Sequence, residues 1–349
     1  MRRLVFITQQ VDPEHPALAA TVPKLHALAR LVDELVVLAD GAVETALPPG
    51  ARVRTFRSPW RVGRGARFEL ALARELPGLR GGAVVAHMCP IYAVLAAPLV
   101  RPRGIPLVLW FTHWRASALL RAAARVSTAV ASVDVRSFPL PSDKVRAIGH
   151  GIDLAEFPCA PPAREDEAGG LRLLALGRYS PAKGLAVVLR AVAAAGEDIR
   201  LDAHGPALSA EERAHRTELE RLVAELGLGG RVRLGDAVPR AEVPALLARH
   251  DALVNNMRAG APDKVVYEAA AACLPVLASN PVFDAFLEPE LRFPRDDPAV
   301  LADRIRALAA LAPEERAALG GRLRERVQAG HSVESWARGI LAAAGIGGT

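Results

Sequence analysis

Two of the chain's four lysines stand in short runs suited to a diphosphate. Lys183 lies in Gly177-Arg178-Tyr179-Ser180-Pro181-Ala182-Lys183-Gly184, and Lys264 in Pro262-Asp263-Lys264-Val265-Val266-Tyr267-Glu268-Ala269. Arginine supplies nearly all the other positive charge. A lysine ammonium is a compact, rotatable point charge, whereas a guanidinium is a planar fork that grips two oxygens at once. A chain that otherwise prefers arginine but keeps lysine at these two places has a use for the point charge; chance is the competing account. Together Arg178, Lys183 and Lys264 could hold phosphate oxygens, and fixed cations aimed at a leaving diphosphate stabilise its charge more in the transition state than in the ground state.

The flanking residues supply elements to position them. Leu171-Arg172-Leu173-Leu174-Ala175-Leu176 is an apolar run ending at Gly177, which predicts a buried parallel strand opening into a loop. After Lys183-Gly184 come Leu185, Val188, Leu189 and Val192 at helical spacing. Arg178 and Lys183 therefore sit between the carboxyl end of a strand and the start of a helix, where open α/β sheets bind ligands. Further strands are predicted at 231–235, 251–256 and 274–279.

The order and spacing of these runs resemble the nucleotide-sugar-binding half of a family-4 retaining glycosyltransferase of the GT-B fold, α/β with two facing Rossmann-like domains. The resemblance implies that Gly177, Arg178 and Lys183 grip the donor diphosphate. It also implies that Leu234, Gly235 and Asp236 set backbone against the nucleobase and that Glu268 bonds the ribose. It implies transfer of a sugar to an acceptor hydroxyl with retention, by front-face attack in which the leaving phosphate takes the acceptor's proton. No resident cofactor is expected, the UDP-, GDP- or TDP-linked sugar being the substrate, and no Asp-x-Asp triplet for a metal-bridged diphosphate occurs.

The chain departs from that pattern in two places. The usual closing motif has two glutamates, and eight positions before Glu268 stands Gly260, so the first acid is absent. Asp263 lies five residues before Glu268, and the Pro-x-Lys-x-x-Glu spacing resembles a variant in which the lysine, here Lys264, faces the phosphates. Cys273 stands where the family commonly has glycine.

In the N-terminal half, Leu4–Thr8, Glu34–Ala39, Ala83–His87 and Pro106–His113 are predicted strands alternating with helical segments, as in a parallel sheet. The strand ending in His113 resembles the family's strand whose histidine lies beside the donor sugar, which assigns His113 a catalytic place in the sugar pocket. His87 also caps a strand, but a packed, hydrogen-bonded histidine is the simpler account. The segment after the first strand, Gln9 to Pro16, is read as a loop on the acceptor side: Gln9 and Gln10 could hydrogen-bond a polyhydroxyl acceptor, and Asp12 could act as a base or simply form a turn.

Length and composition bound the rest. A chain of 349 residues exceeds one ordinary core, predicting two domains. The boundaries read as 1–157, a Pro- and charge-rich linker at 158–170, a donor domain at 171–330, and a last helix at 331–349 that crosses back to the first domain, anchored by Trp336. No long apolar stretch predicts a membrane span or leader. Three cysteines, at 89, 159 and 273, without metal-ligand spacing predict a cytoplasmic protein with neither disulfide nor zinc site.

The net charge of +6 is uneven. Residues 1–157 carry 20 Lys and Arg against 12 Asp and Glu, while the remainder is slightly acidic. Arg52, Arg54, Arg57, Arg61, Arg64 and Arg67 interleave with Phe56, Trp60 and Phe68 in one segment read as loop-rich. A solvated face is one account; another is peripheral contact with a membrane or an anionic acceptor such as a lipid-linked sugar, each basic residue contributing about 1 kcal/mol near an anionic leaflet. Nucleic acid is disfavoured, since no nucleic-acid module is present. Two functional alternatives remain beside transfer: a nucleotide-sugar epimerase on the same scaffold, and a non-catalytic donor-binding protein that has lost its first acid at Gly260.

Overall fold

Two parallel sheets organise the chain in the computed structural model, which describes residues 2–15, 18–159, 170–260 and 262–346. Contacts divide it into two compact units, Met1–Asp153 with Gly330–Thr349, and Leu154–Ala329.

The first unit contains β1 (Arg3–Val11), α1 (Thr21–Ala29), β2 (Glu34–Ala42), β3 (Arg52–Thr55), α2 (Arg61–Glu75), β4 (Ala83–His87), α3 (Pro90–Val100), β5 (Leu107–Trp110), α4 (Ala118–Val126), β6 (Ala129–Ser132) and β7 (Val145–Ala147). The seven strands pair in the order β3-β2-β1-β4-β5-β6-β7. Central β1 reads Leu4-Val5-Phe6-Ile7 because both of its faces are covered, and all four side chains are fully buried. The strand runs four residues past Ile7, to buried Val11, so Gln9 and Gln10 belong to β1 and not to a loop, Gln10 standing in register with Gly41.

The second unit contains β8 (Leu171–Leu176), α5 (Leu185–Ala195), β9 (Ile199–His204), α6 (Ala210–Glu225), β10 (Val232–Gly235), α7 (Val243–Leu247), β11 (Ala252–Asn255), α8 (Lys264–Ala271), β12 (Val276–Ala278), α9 (Pro298–Ala309) and most of α10 (Pro313–Gly330). Its sheet has five strands, β10-β9-β8-β11-β12, one more than the apolar runs indicated. The missed strand is β9, whose Ile199, Leu201 and Ala203 are buried while Arg200, Asp202 and His204 alternate onto the opposite, more open face. The order of this sheet reverses between β8 and β11, which creates a switch point at their carboxyl ends.

The last helix, α11 (Val333–Ala343), belongs to the first unit. Trp336 is fully buried and meets Trp110 edge-on at 5.6 Å and Phe6 at 6.4 Å. Leu154–Phe157, read as the end of the first domain, falls in the second unit, where Arg324 donates to the Phe157 carbonyl at 2.6 Å. Most of the expected linker, 158–170, lies outside the described residues.

The cysteine expectation is corrected: Cys159 and Cys273 form a disulfide across 114 positions, and Cys89 is the free, buried one. Their sequence separation hid a pairing that the fold creates, bringing the two Cα atoms to 5.0 Å. No helix among the described residues is long and apolar enough to cross a membrane.

Candidate functional site

Gly177 follows β8 with φ of 138°, a conformation open to glycine, and a Cβ there would collide with the Lys183 side chain. The chain then turns through one short 3-10 turn, Pro181–Lys183, capped by the Ser180 side chain, and enters α5 at Gly184, with φ of 58°. Gly205 packs so closely on the Gly177 carbonyl that a Cβ would not fit. Three backbone or amide bonds fasten the loop: Gly177 N–H to the His204 carbonyl at 3.0 Å, Tyr179 N–H to Pro206 at 3.1 Å, and Asn256 Nδ2 to the Gly184 carbonyl at 2.9 Å.

The result is a recess at the switch point, lined by Gly177, Arg178, Lys183, His204, Asn255 and Asn256 together with apolar neighbours. His204 Nδ1 faces the Asp236 carbonyl at 3.2 Å; a carbonyl can only accept, so this nitrogen carries the proton.

Each of the three cations faces a carboxylate. Arg178 Nη1 lies 3.0 Å from Glu212 Oε1, the guanidinium largely exposed. Lys183 pairs with Asp263, and Asn255 Nδ2 donates to the same Asp263 oxygen at 2.7 Å. Lys264, the first residue of α8, reaches one turn along the helix to Glu268 Oε1 at 2.7 Å. Glu268 is buried, and the same oxygen accepts from Arg240 Nη1 at 2.9 Å, while Arg240 also pairs with Glu156. Burial pushes the Glu268 carboxyl up, but Lys264 and Arg240 outweigh it and hold it below the usual carboxylate range.

The end of β10 joins the same region through Tyr179. Its hydroxyl donates to the Gly235 carbonyl at 2.7 Å and lies 3.1 Å from that of Ala203; burial pushes the phenol up to about 12. Arg216 lies over the Tyr179 ring at 4.9 Å, donates to the Leu234 carbonyl at 3.1 Å, and pairs with exposed Asp236 at 2.6 Å. The Leu234, Gly235 and Asp236 backbone is thus tied to the loop that carries Arg178 and Lys183.

The remaining candidates lie in the first unit. His113 is exposed, accepts from Arg115 N–H at 3.0 Å and stacks on Trp114 at 5.6 Å; burial and Arg115 lower its pKa. Asp12 accepts from Glu14 N–H at 2.9 Å, the geometry of a turn former. His87 is buried against Phe6 and Trp336 with neither ring nitrogen bonded among the described residues, so the packed account holds and the hydrogen-bonded one does not.

The other two lysines are structural. Lys24 lies near the Trp110 and Trp336 rings at 5.2 and 5.1 Å, and Lys144 caps the carbonyls of Arg125 and Ser127. The basic segment is helical over much of its length and partly neutralised: Arg52 and Arg54 pair with Glu75, and Arg64 with Asp40. Phe56 and Phe68 are core, whereas Trp60 is 76% exposed and Val62 87%.

Sequence inspection missed His204, Asn255, Asn256, Glu212 and Arg240. The pair of asparagines at a strand's carboxyl end was the available signal; Glu212 and Arg240 carry none without the fold. Among the described residues no group of three His, Cys, Asp or Glu side chains could hold a metal ion.

A comparison with the curated proteins finds no match. Among solved structures, the fold is similar to Anabaena HepE in complex with UDP and glucose, at 17% identity over 98% of this chain and 99% of that one, with a TM-score of 0.74. It is similar to sucrose-phosphate synthase from Thermosynechococcus elongatus, at 19% identity over 97% of both chains, TM-score 0.74. It is also similar to WaaG, a glycosyltransferase involved in lipopolysaccharide biosynthesis, at 16% identity over 99% and 100%, TM-score 0.63. Residues 186–342, which take in α5 through α11, match the family model described as glycosyl transferase-like. The two-sheet architecture is thus the GT-B fold of these structures, and residues 186–342 are similar to the glycosyl transferase-like family.

Proposed function

We propose that the protein transfers a sugar from a nucleotide-sugar donor to an acceptor hydroxyl, with retention and without a metal. The observation that carries this is the set of cations around the switch point of the second sheet: Arg178 and Lys183 after β8, and Lys264 at the start of α8. A diphosphate set there meets one planar fork and two point charges, which would stabilise the leaving group as its charge develops. Glu268, buried and held by Lys264 and Arg240, is assigned to the ribose, and the Gly235 backbone to the base. The UDP and UDP-glucose complexes of HepE support a UDP-linked donor.

The acceptor reading rests on the surface at the start of α2. Exposed Trp60 and Val62 project beside Arg57, Arg61 and Arg67, a mixture of apolar and basic groups suited to an acceptor carried on an anionic lipid surface. Sedimentation with vesicles containing anionic lipid checks this: wild type should pellet with them and Trp60→Ser/Val62→Ser should stay in solution.

The donor assignment is tested by calorimetric titration with UDP, GDP, TDP and ADP in the presence of a chelator, on wild type and Lys183→Ala. One nucleotide should bind wild type and not the variant. Binding without turnover under any acceptor tried would favour a donor-binding protein, and conversion of the donor to its epimer would favour an epimerase.

A further inference from the structure

Asp263 precedes the first residue of α8, the position at which an aspartate ordinarily accepts from the first-turn amides and stabilises the helix. Here its side chain makes no such bond. The carboxylate turns instead to Asn255 and Lys183, and both members of the ion pair are mostly buried, the lysine side chain 21% exposed and the aspartate 19%. Lys183 also reaches the Leu176 carbonyl at 3.4 Å, lying over the strand end that Gly177 leaves open. A carboxylate therefore occupies the cation at the switch point.

The three ion pairs of the site would respond differently to an incoming diphosphate. Glu268 is shared by two cations, so it keeps Arg240 if Lys264 turns to a phosphate. The Arg178 guanidinium is 59% exposed, and its buried partner Glu212 also accepts from Leu208 N–H at 2.8 Å, so that carboxylate keeps a donor if Arg178 turns to a phosphate. Asp263 has one cation only among the described residues, in a mostly buried pair, and must give it up.

We propose that Asp263 is an internal competitor for the donor's diphosphate: it holds Lys183 while the site is empty and yields it when phosphate arrives. The proposal rests on the donor-site reading above. Asp263 keeps Asn255 as a partner after displacement, so the exchange is between two anions for one lysine. It makes the site selective for phosphate charge, because a ligand must outbid a resident carboxylate to engage Lys183, and an uncharged nucleoside gains nothing there.

The test is calorimetric titration of UDP, inorganic pyrophosphate and uridine into wild type, Asp263→Asn, Lys183→Ala and the double variant. Asp263→Asn keeps an oxygen for Asn255 and removes the charge. It should bind UDP and pyrophosphate about tenfold more tightly, with uridine unchanged, and the gain should vanish when Lys183 is also replaced. UDP binding equal to or weaker than wild type in a folded Asp263→Asn overturns the competitor and leaves the donor site standing, as does a gain that persists without Lys183. No binding of any probe to any variant overturns both. Asp263→Ser is the second variant should the asparagine protein fail to fold.

Discussion

The Tyr179 hydroxyl donates to the Gly235 carbonyl at 2.7 Å, fastening the loop after β8 to the carboxyl end of β10. Both ends of the proposed donor site therefore share one buried phenol. Tyr179→Phe leaves the Gly235 and Ala203 carbonyls without that donor and should cost about 1–2 kcal/mol of stability in the second unit. Denaturant unfolding measures the loss, and nucleotide titration should show weaker binding of the base-bearing ligand with pyrophosphate little affected.

Removing the charge of Glu268 acts on two cations at once. Glu268→Gln should destabilise the second unit by about 3 kcal/mol, since Lys264 and Arg240 would face each other across an uncharged amide. Because the folded carboxyl lies below its ordinary value, its contribution is present at neutral pH and is lost as pH falls through the folded value. The acid limb of a stability profile should be shallower in the variant than in wild type.

Two histidines of the first unit act in the opposite charge sense but the same pH direction. Burial lowers His87 well below 6.5, with Lys24 adding to it, and pushes His331 down to about 4. Each is neutral when folded and takes up a proton on unfolding below 6.5, so stability should fall as pH drops from 6.5 towards 4, at about 1.4 kcal/mol per pH unit per proton. His331→Asn should flatten part of that slope in thermal melts between pH 7 and 5.

The disulfide gives a redox prediction. Reduction of Cys159–Cys273 should lower the second unit's stability by about 2–4 kcal/mol, and the Cys159→Ser/Cys273→Ser protein should melt at one temperature with or without dithiothreitol. Cys273 has φ of 61°, which a glycine adopts without strain, so Cys273→Gly should recover part of the loss.

The placement of Arg178 and Lys183 was legible because they sit in a local run: strand, glycine, Arg178, Lys183 and helix are contiguous, and periodicity alone places them at a strand end. Strand β9 was not legible, since Arg200 and Asp202 break its apolar run on the open face while only Ile199, Leu201 and Ala203 face the core. Gln9 and Gln10 were misread as loop for a related reason: they interrupt the apolar run of β1, which backbone pairing carries on to buried Val11. The Cys159–Cys273 and Lys183–Asp263 pairs join residues 114 and 80 positions apart, so chain topology had to be known first. Among the six interleaved arginines, composition could not separate those that pair with Glu75 and Asp40 from those that face solvent.

Trp336 is translated after the whole second unit, yet it fills the centre of the first, against Phe6 and Trp110. During synthesis, the core of residues 1–153 lacks its Trp336 side chain while residues 154–329 emerge. The second unit is complete in the chain before the first, whose amino-terminal sheet gains its Trp336 packing only once α11 has been made.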